Sequence, residues 1–413
     1  MKQKKKGYTT AIMAILTLSI VLASIPMAKA AGSYDWPMHR HDLQHTGYST
    51  SPAPNTNQTL WTYTTGSFVW SSPAVVDGKV YAGSYDKKVY CLDAATGTLI
   101  WNYTTGGEVE SSCTVADGKV YVGSNDDKVY CLDAAIGALI WNYTTGNDVI
   151  PNPTVVDGRV YVGSNDTNIY ALNALTGVLI WNYTTGHVVT SSSAVADGKV
   201  YAGSRDYKVY CLNALTGALI WNYTTGGDVW GSPAVVDGKV YVGSRDKNIY
   251  ALNASTGALV WNYTTGDKVY SSPAVVDGKV YVGSWDNKTY CLDAVTGAHV
   301  WNYTTRSNIW DSSPAIADDK VYIGSNDGTI YCLNAANGAL IWSYKAGLMV
   351  GSSPAVANGV VYVGSVDRKV YAFSSGPPIP EGLTIGVTLL LSTVAVIVST
   401  RYFRKRHQPV SYL

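Results

Sequence analysis

Hydrophobic and polar positions along this chain alternate in short runs, and the whole pattern recurs every 40 residues. A period of that length is the sequence mark of a repeat architecture. One unit reads Ser-Ser-Pro-Ala-Val-Val-Asp-Gly, Lys-Val-Tyr-Val-Gly-Ser, a variable turn, Val-Tyr-Cys-Leu-Asp-Ala, a Thr-Gly turn, and Ala-Leu-Ile-Trp-Asn-Tyr-Thr-Thr-Gly. The four extended runs, named A to D, are rich in Val, Ile and Tyr and bounded by Gly, Asp or Ser, which predicts strands. Asp77-Gly78, Asp117-Gly118 and Asp237-Gly238, between A and B, supply the positive φ of a tight hairpin. Helical periodicity is missing from every unit, which excludes a helical solenoid. Four short antiparallel strands per unit predict a propeller blade.

Counting strands predicts how the ring closes. A, B and C occur together eight times, from 70–93 to 351–373. After the last C strand the Trp-bearing D run is missing, and Ser374-Ser375-Gly376-Pro377-Pro378 follows. A spare D run, Leu60-Trp61-Thr62-Tyr63-Thr64-Thr65-Gly66, precedes the first A strand. Assigning it to the last blade predicts an all-β, eight-bladed propeller of four-stranded antiparallel blades over 59–375. Its closing blade joins both chain ends and leaves no free edge.

The strand D tryptophans are Trp101, Trp141, Trp181, Trp221, Trp261, Trp301 and Trp342, with Trp61 as the closing copy. Large aromatics at a structural period are read as packing between blades. Leu-Asp-Ala-Ala-Thr-Gly-Thr-Leu-Ile-Trp (92–101) and its copies resemble the docking motif of pyrroloquinoline-quinone (PQQ) repeat propellers. The segment 35–49, Asp-Trp-Pro-Met-His-Arg-His-Asp-Leu-Gln-His-Thr-Gly-Tyr-Ser, resembles the lead-in of exported, membrane-anchored members of the archaeal surface-protein type. The resemblance implies that each Trp packs on the Ala and Gly of an adjacent motif. Departures are Ile136 and Asn337 in place of the motif Thr, and Asp311 as a one-residue insertion.

That family includes PQQ-dependent dehydrogenases. The resemblance implies that their cofactor site needs long insertions between strands, a calcium ion with carboxylate ligands, a base Asp and often a Cys-Cys pair. This chain has no Cys-Cys, and its units are uniform. Asp86, Asp126, Asp166, Asp206, Asp246, Asp286, Asp327 and Asp367 recur in every B–C turn, as turn-capping side chains do. A catalytic constellation would be singular. The sequence is therefore read as a non-catalytic binding or scaffold module that needs no cofactor, with a dehydrogenase as the alternative.

The ends concern location. Lys2, Lys4, Lys5 and Lys6, an apolar stretch from Ala11 to Ile25 and Ala28-Lys29-Ala30 predict a signal peptide over 1–30. A lead-in segment fills 31–58 and a Pro-rich spacer 376–382. Residues 383–400 are apolar and uncharged, long enough for a membrane span, and Arg401, Arg404, Lys405 and Arg406 open a basic cytoplasmic tail over 401–413. Pro380-Glu381-Gly382 before that run also resembles archaeal C-terminal sorting signals, which would exchange the tail for a lipid anchor. The expectation is a propeller outside the cell membrane. Of 30 Lys and Arg, nine lie in residues 1–30 and 401–413, leaving 21 against 29 acidic residues. A mildly acidic body with no basic stripe argues against nucleic acid as a partner.

Cys91, Cys131, Cys211, Cys291 and Cys332 share a repeat position with Ala171, Ala251 and Ala372, which predicts small buried sites and free thiols. Cys113 stands apart from them, without an obvious partner. His39, His41, Asp42 and His45 form a candidate metal cluster; the competing reading is a cap with its polar side chains in solvent. The second reading is preferred, so no metal site is assigned.

The units disagree mainly in the B–C turns and the D–A connections, which antiparallel strands place on one face. The B–C position reads Tyr85, Asn125, Asn165, Arg205, Arg245, Trp285, Asn326 and Val366. The position near the start of strand A reads Trp70, Glu110, Ile150, Thr190, Trp230, Tyr270, Trp310 and Val350, and should ring the mouth of the channel. Aromatics with Arg among them have the composition of a recognition surface, here for an envelope protein or carbohydrate. Drift in unconstrained turns is the competing explanation. Asn102, Asn142, Asn182, Asn222, Asn262 and Asn302 begin Asn-Tyr-Thr sequons that strand alternation turns outward, as candidate glycan sites on the outer rim.

Overall fold

The computed structural model of the protein describes residues 34–376, so the expected signal peptide, membrane span and basic tail lie outside the described residues. Eight sheets form eight blades, each of four antiparallel strands, and the seventh carries a fifth, parallel strand on its inner edge. Blade 1 is Ala74–Val76 (A), Lys79–Ser84 (B), Lys88–Asp93 (C) and Leu99–Thr104 (D). Asp77 and Gly78 take φ of 49° and 72° at the A–B turn, the left-handed pair that a tight hairpin requires. Blade 8 is completed across the chain ends. Gln58–Thr64 pairs as strand D with Lys369–Ser374, beside Val360–Gly364 and Ala355–Ala357.

Blades are joined by one repeated device. The indole of each strand D Trp and the hydroxyl of the strand B Tyr in the same blade donate to a single carbonyl of the next blade. Trp101 and Tyr81 reach Ala134, and Trp61 and Tyr362 reach Ala94, all at 2.9–3.2 Å. A carbonyl has two lone pairs, and both are used. Gly97 is required beneath the ring, because a Cβ there would lie 2.6 Å from Trp61. The indoles of Trp61, Trp101, Trp141, Trp181, Trp221, Trp261 and Trp301 all donate to an Ala carbonyl of the next blade in this way. Trp342 is the exception in partner and not in role, since it reaches Pro54 of the lead-in.

The repeated turn aspartates extend this joinery. Asp86 accepts from the Lys88 amide and the Tyr90 hydroxyl within its blade, and from the Gly66 amide on the preceding connection at 2.7 Å. They cap local turns as the sequence suggests, and in addition they tie neighbouring blades. All six cysteines are free and buried, Cys113 included.

The lead-in lies inside the ring. Trp36 exchanges backbone hydrogen bonds with Val75 of blade 1, Pro37 accepts from Val115 of blade 2, and Leu43, Gln44, Thr46 and Gly47 accept from strand A of blades 4 to 7. Tyr48–Ser49 then pairs in parallel with Ala315–Ala317. The segment therefore plugs the channel by borrowing the free edges of the innermost strands, which a channel otherwise leaves unpaired. Expected polar side chains in solvent are not what forms: Arg40 and His45 are each 1% exposed. Arg40 donates to the carbonyls of Pro273 and Pro314, and His45 Nδ1 lies 3.2 Å from the Pro233 carbonyl.

Candidate functional site at the mouth of the channel

Above the plug, the channel is lined by two tiers contributed by the first residues of each blade's strand A region. The lower tier is Ser72, Ser112, Asn152, Ser192, Ser232, Ser272, Ser313 and Ser353. Each backbone amide donates to the side-chain oxygen in the next blade, from Ser72 onto Ser112 and round to Ser353 onto Ser72. This closed cycle of eight bonds narrows the channel. His39, from the plug, forms its floor.

The upper tier is Trp70, Glu110, Ile150, Thr190, Trp230, Tyr270, Asp311 and Gly351. Six of the eight positions are those the sequence reading named, and two are corrected: Asp311 takes the place of Trp310, and Gly351 that of Val350. Val350 is fully buried, and the eighth position belongs to Gly351. The cause is the Asp311 insertion, which moves every later unit along by one residue. At blade 7 the insertion splits one position into two: Asp311 lines the channel, while Trp310 lies among the aromatics of the rim. Gly351 makes room for Trp70, whose ring would stand 2.3 Å from a Cβ there.

The variable aromatics come together as a crescent. Trp230 meets Tyr270 edge-on at 5.8 Å, Tyr270 meets Trp285 at 5.6 Å, and Trp310 lies 6.2 Å from each of Tyr270, Trp285 and Trp70. Cations lie over them. The Arg205 guanidinium is 4.8 Å from the Trp230 ring centre, Arg245 is 5.5 Å from Tyr270, and Lys268 is 5.2 Å from Trp285, all within cation–π range. Asp228 accepts from both Arg205 and Arg245 and orients them. Tyr85 stands away from the crescent, its hydroxyl 2.8 Å from Glu110. Sequence reasoning found the aromatics but missed Asp228 and Lys268, whose D–A connections vary as freely as ordinary loops do.

Electrostatics divide the mouth. Burial pushes the Asp311 carboxyl up to about 7, and Glu110 adds to the rise. Glu110 is also raised by burial, against the pull of its Tyr85 hydrogen bond. His39 is held well below its ordinary value by burial and by the neighbouring His45 and Arg40, so the floor is neutral. In the lead-in, Asp42 accepts from Thr46 and sits 3.5 Å from His41, while His39 and His45 face each other edge-on. Among the described residues no group of three or more metal-ligating side chains is assembled.

Residues 50–128, 109–229, 224–309 and 304–376 match the family described as outer membrane protein assembly factor BamB. The chain belongs to that family of PQQ-like repeat propellers. Solved structures share the fold. BamB from Moraxella catarrhalis is 20% identical, with a TM-score of 0.68 over 77% of this chain and 97% of that one. A europium-containing methanol dehydrogenase is 15% identical, with a TM-score of 0.72 over 83% of this chain and 98% of that one. The quinohemoprotein alcohol dehydrogenase from Comamonas testosteroni is 18% identical, with a TM-score of 0.70 over 85% and 82%. No match is found among curated proteins.

The quinone cofactor implied by the dehydrogenase relatives is a fused-ring tricarboxylate, so the lining can be tested against it. The cavity holds about 100 Å³, against roughly 300–1,000 Å³ for a drug-sized ligand. Its charged lining residues are the acids Glu110 and Asp311. These residues do not fit a bulky anion.

Proposed function

We propose that this chain is a non-catalytic binding or scaffold propeller, tethered outside the cell membrane, that presents its variable face to an envelope partner. The observation that carries this reading is the crescent from Trp230 to Trp70 with arginines stacked on it. Rigid aromatics and Arg are the residue types that dominate binding energy at interfaces. A protein partner is the preferred reading, given that the matching family is named for an assembly factor; an envelope carbohydrate, stacking on the same rings, is the second.

The place where the last propeller strand ends supports the orientation. Strand C of blade 8 ends at Ser374, paired with Val360 beside the A–B turn, on the face opposite the crescent. A spacer and membrane span leaving from there would direct the crescent away from the lipid. The test is a Trp230→Ala, Trp310→Ala double variant in the membrane-attached protein. It should keep a cooperative melt and lose the partners that cross-link to the parent. Retention of every measurable interaction would overturn the proposal.

A dehydrogenase remains the competing reading because solved quinoproteins share the fold. Incubation with PQQ and calcium should leave no protein-bound chromophore; a stoichiometric one would favour the enzyme.

A further inference from the structure

The acids at the channel mouth lack a counter-charge. Among the described residues the Asp311 carboxylate has no hydrogen bond or ion pair; only its backbone carbonyl accepts, from the Ser313 hydroxyl. Glu110 has one hydrogen bond, from Tyr85. The nearby cations are placed elsewhere: Arg205 and Arg245 pair with Asp228, Lys268 lies over the face of Trp285, and Arg40 donates to two proline carbonyls beneath the floor. A half-buried, uncompensated carboxylate is costly unless something pairs with it.

Independent of the acids, two other polar atoms of the same lining are buried without partners: Nδ1 of His39 on the floor and Oγ1 of Thr190 on the wall. Both can accept a hydrogen bond, as can the serine hydroxyls. The walls beside the acids are Trp70 and Tyr270, whose faces attract a cation. A donor-only, singly charged group meets all of these demands. An alkylammonium has three N–H donors, no acceptor and a narrow apolar stem. The small cavity is of a size for such a group.

We infer that the pocket formed by Asp311, Glu110, Trp70, Tyr270 and His39 binds one ammonium group at the end of an alkyl chain. This rests on the proposed binding role, and specifies what the centre of the face reads. The ammonium belongs to a lysine side chain of the partner or to a free amine, and the two sources share one chemistry. Asp311 is the anchor, because the single insertion in the repeat array puts it there.

The experiment uses Nα-acetyl-lysine amide, 1,4-diaminobutane and Nα,Nε-diacetyl-lysine amide as probes at pH 8, read by tryptophan indole NMR shifts. Both amines should saturate in the millimolar range, with Kd about 1–10 mM. The diacetylated compound, which has lost the charge, should not shift the spectrum. Asp311→Asn should weaken the amines at least tenfold and Glu110→Gln by less, with the melt of each variant intact. Stronger binding by the lysine amide assigns the source to a protein side chain, and stronger binding by the diamine to a soluble amine. Equal shifts from the diacetylated compound, an unchanged affinity in Asp311→Asn, or no shift from either amine up to about 50 mM would overturn the inference. Calcium binding that the amines cannot displace would overturn it as well. None of these outcomes involves the macromolecular partner, so failure here leaves the aromatic face to be judged on its own test.

Discussion

The indole nitrogen of Trp342 donates to the carbonyl oxygen of Pro54 at 3.1 Å, a position that in the other blades is filled by the Ala of a docking motif. Tyr322 donates to the same oxygen, also at 3.1 Å. Blade 8 has no C–D turn of its own, so the lead-in supplies the missing acceptor. The propeller is thus closed twice, by strand pairing at Gln58–Thr64 and by this borrowed carbonyl.

Removing residues 34–54 while keeping Gln58–Thr64 should therefore cost stability even though the blade count is unchanged. Two buried donors lose their acceptor, at about 1–3 kcal/mol each, and the inner strands lose the plug. A drop in the urea midpoint, with an unchanged far-ultraviolet spectrum, is the expected outcome.

Trp181→Ala should destabilise by about 3–5 kcal/mol, the range for truncating a buried Trp. Trp310→Ala, on the half-buried rim, should cost clearly less. Chemical denaturation of the two variants side by side checks the contrast between docking and display tryptophans.

Two enclosed groups should give the stability profile opposing slopes between about pH 4 and 7. Asp311 is raised from 3.8 to about 7, so its contribution is full at low pH and is lost as pH rises through 7. His45 is lowered from 6.5 to about 4 by burial, so its contribution is full above 6.5 and is lost as pH falls through 4. Each amounts to a few kcal/mol. In the parent they oppose each other, with His39 acting in the direction of His45 and Glu110 in that of Asp311. Asp311→Asn should expose a loss of stability on acidification, and His45→Asn should tilt the profile the other way, read as melting temperature against pH.

In the native state the six cysteines should resist a thiol reagent, and all six should react in denaturant. Burial raises the Cys113 thiol, and likewise those of Cys91, Cys131, Cys211, Cys291 and Cys332 at their shared repeat position, holding all six as unreactive thiols. One or more fast-reacting thiols in the native protein would contradict the packing.

Asn102, Asn142, Asn182, Asn222, Asn262 and Asn302 are all exposed on the outer strands, as alternation along strand D requires. If the rim carries glycans, the intact mass of the native protein exceeds the chain mass in saccharide steps, and Asn→Gln changes at these sites remove them. An unmodified mass would end that proposal.

The blades and their closure could be read from sequence because eight copies of one pattern reinforce each other, and a strand missing at one end turns up at the other. The lead-in has no internal copy to compare with. Nothing in His39, Arg40 or Pro54 says that one would floor a channel, another bridge two carbonyls and the third stand in for a docking motif. The channel ring was legible from the variable positions, but a constant spacing carried past Asp311 led to Val350 instead of Gly351. The crescent was legible only as a composition: which aromatics touch depends on loop paths between blades, and these leave no periodic trace.

The serine tier has a consequence for how the disc is read from outside. Every bond in it runs the same way round the axis, each unit giving forward and receiving from behind, so the tier marks no starting point. Two departures break that rotational sameness, the Pro54 join beside blade 8 and the Trp310–Asp311 step in blade 7. They fall in adjacent blades and give an almost uniform wheel an index mark. A partner that finds Asp311 has also found its angular bearing on the disc.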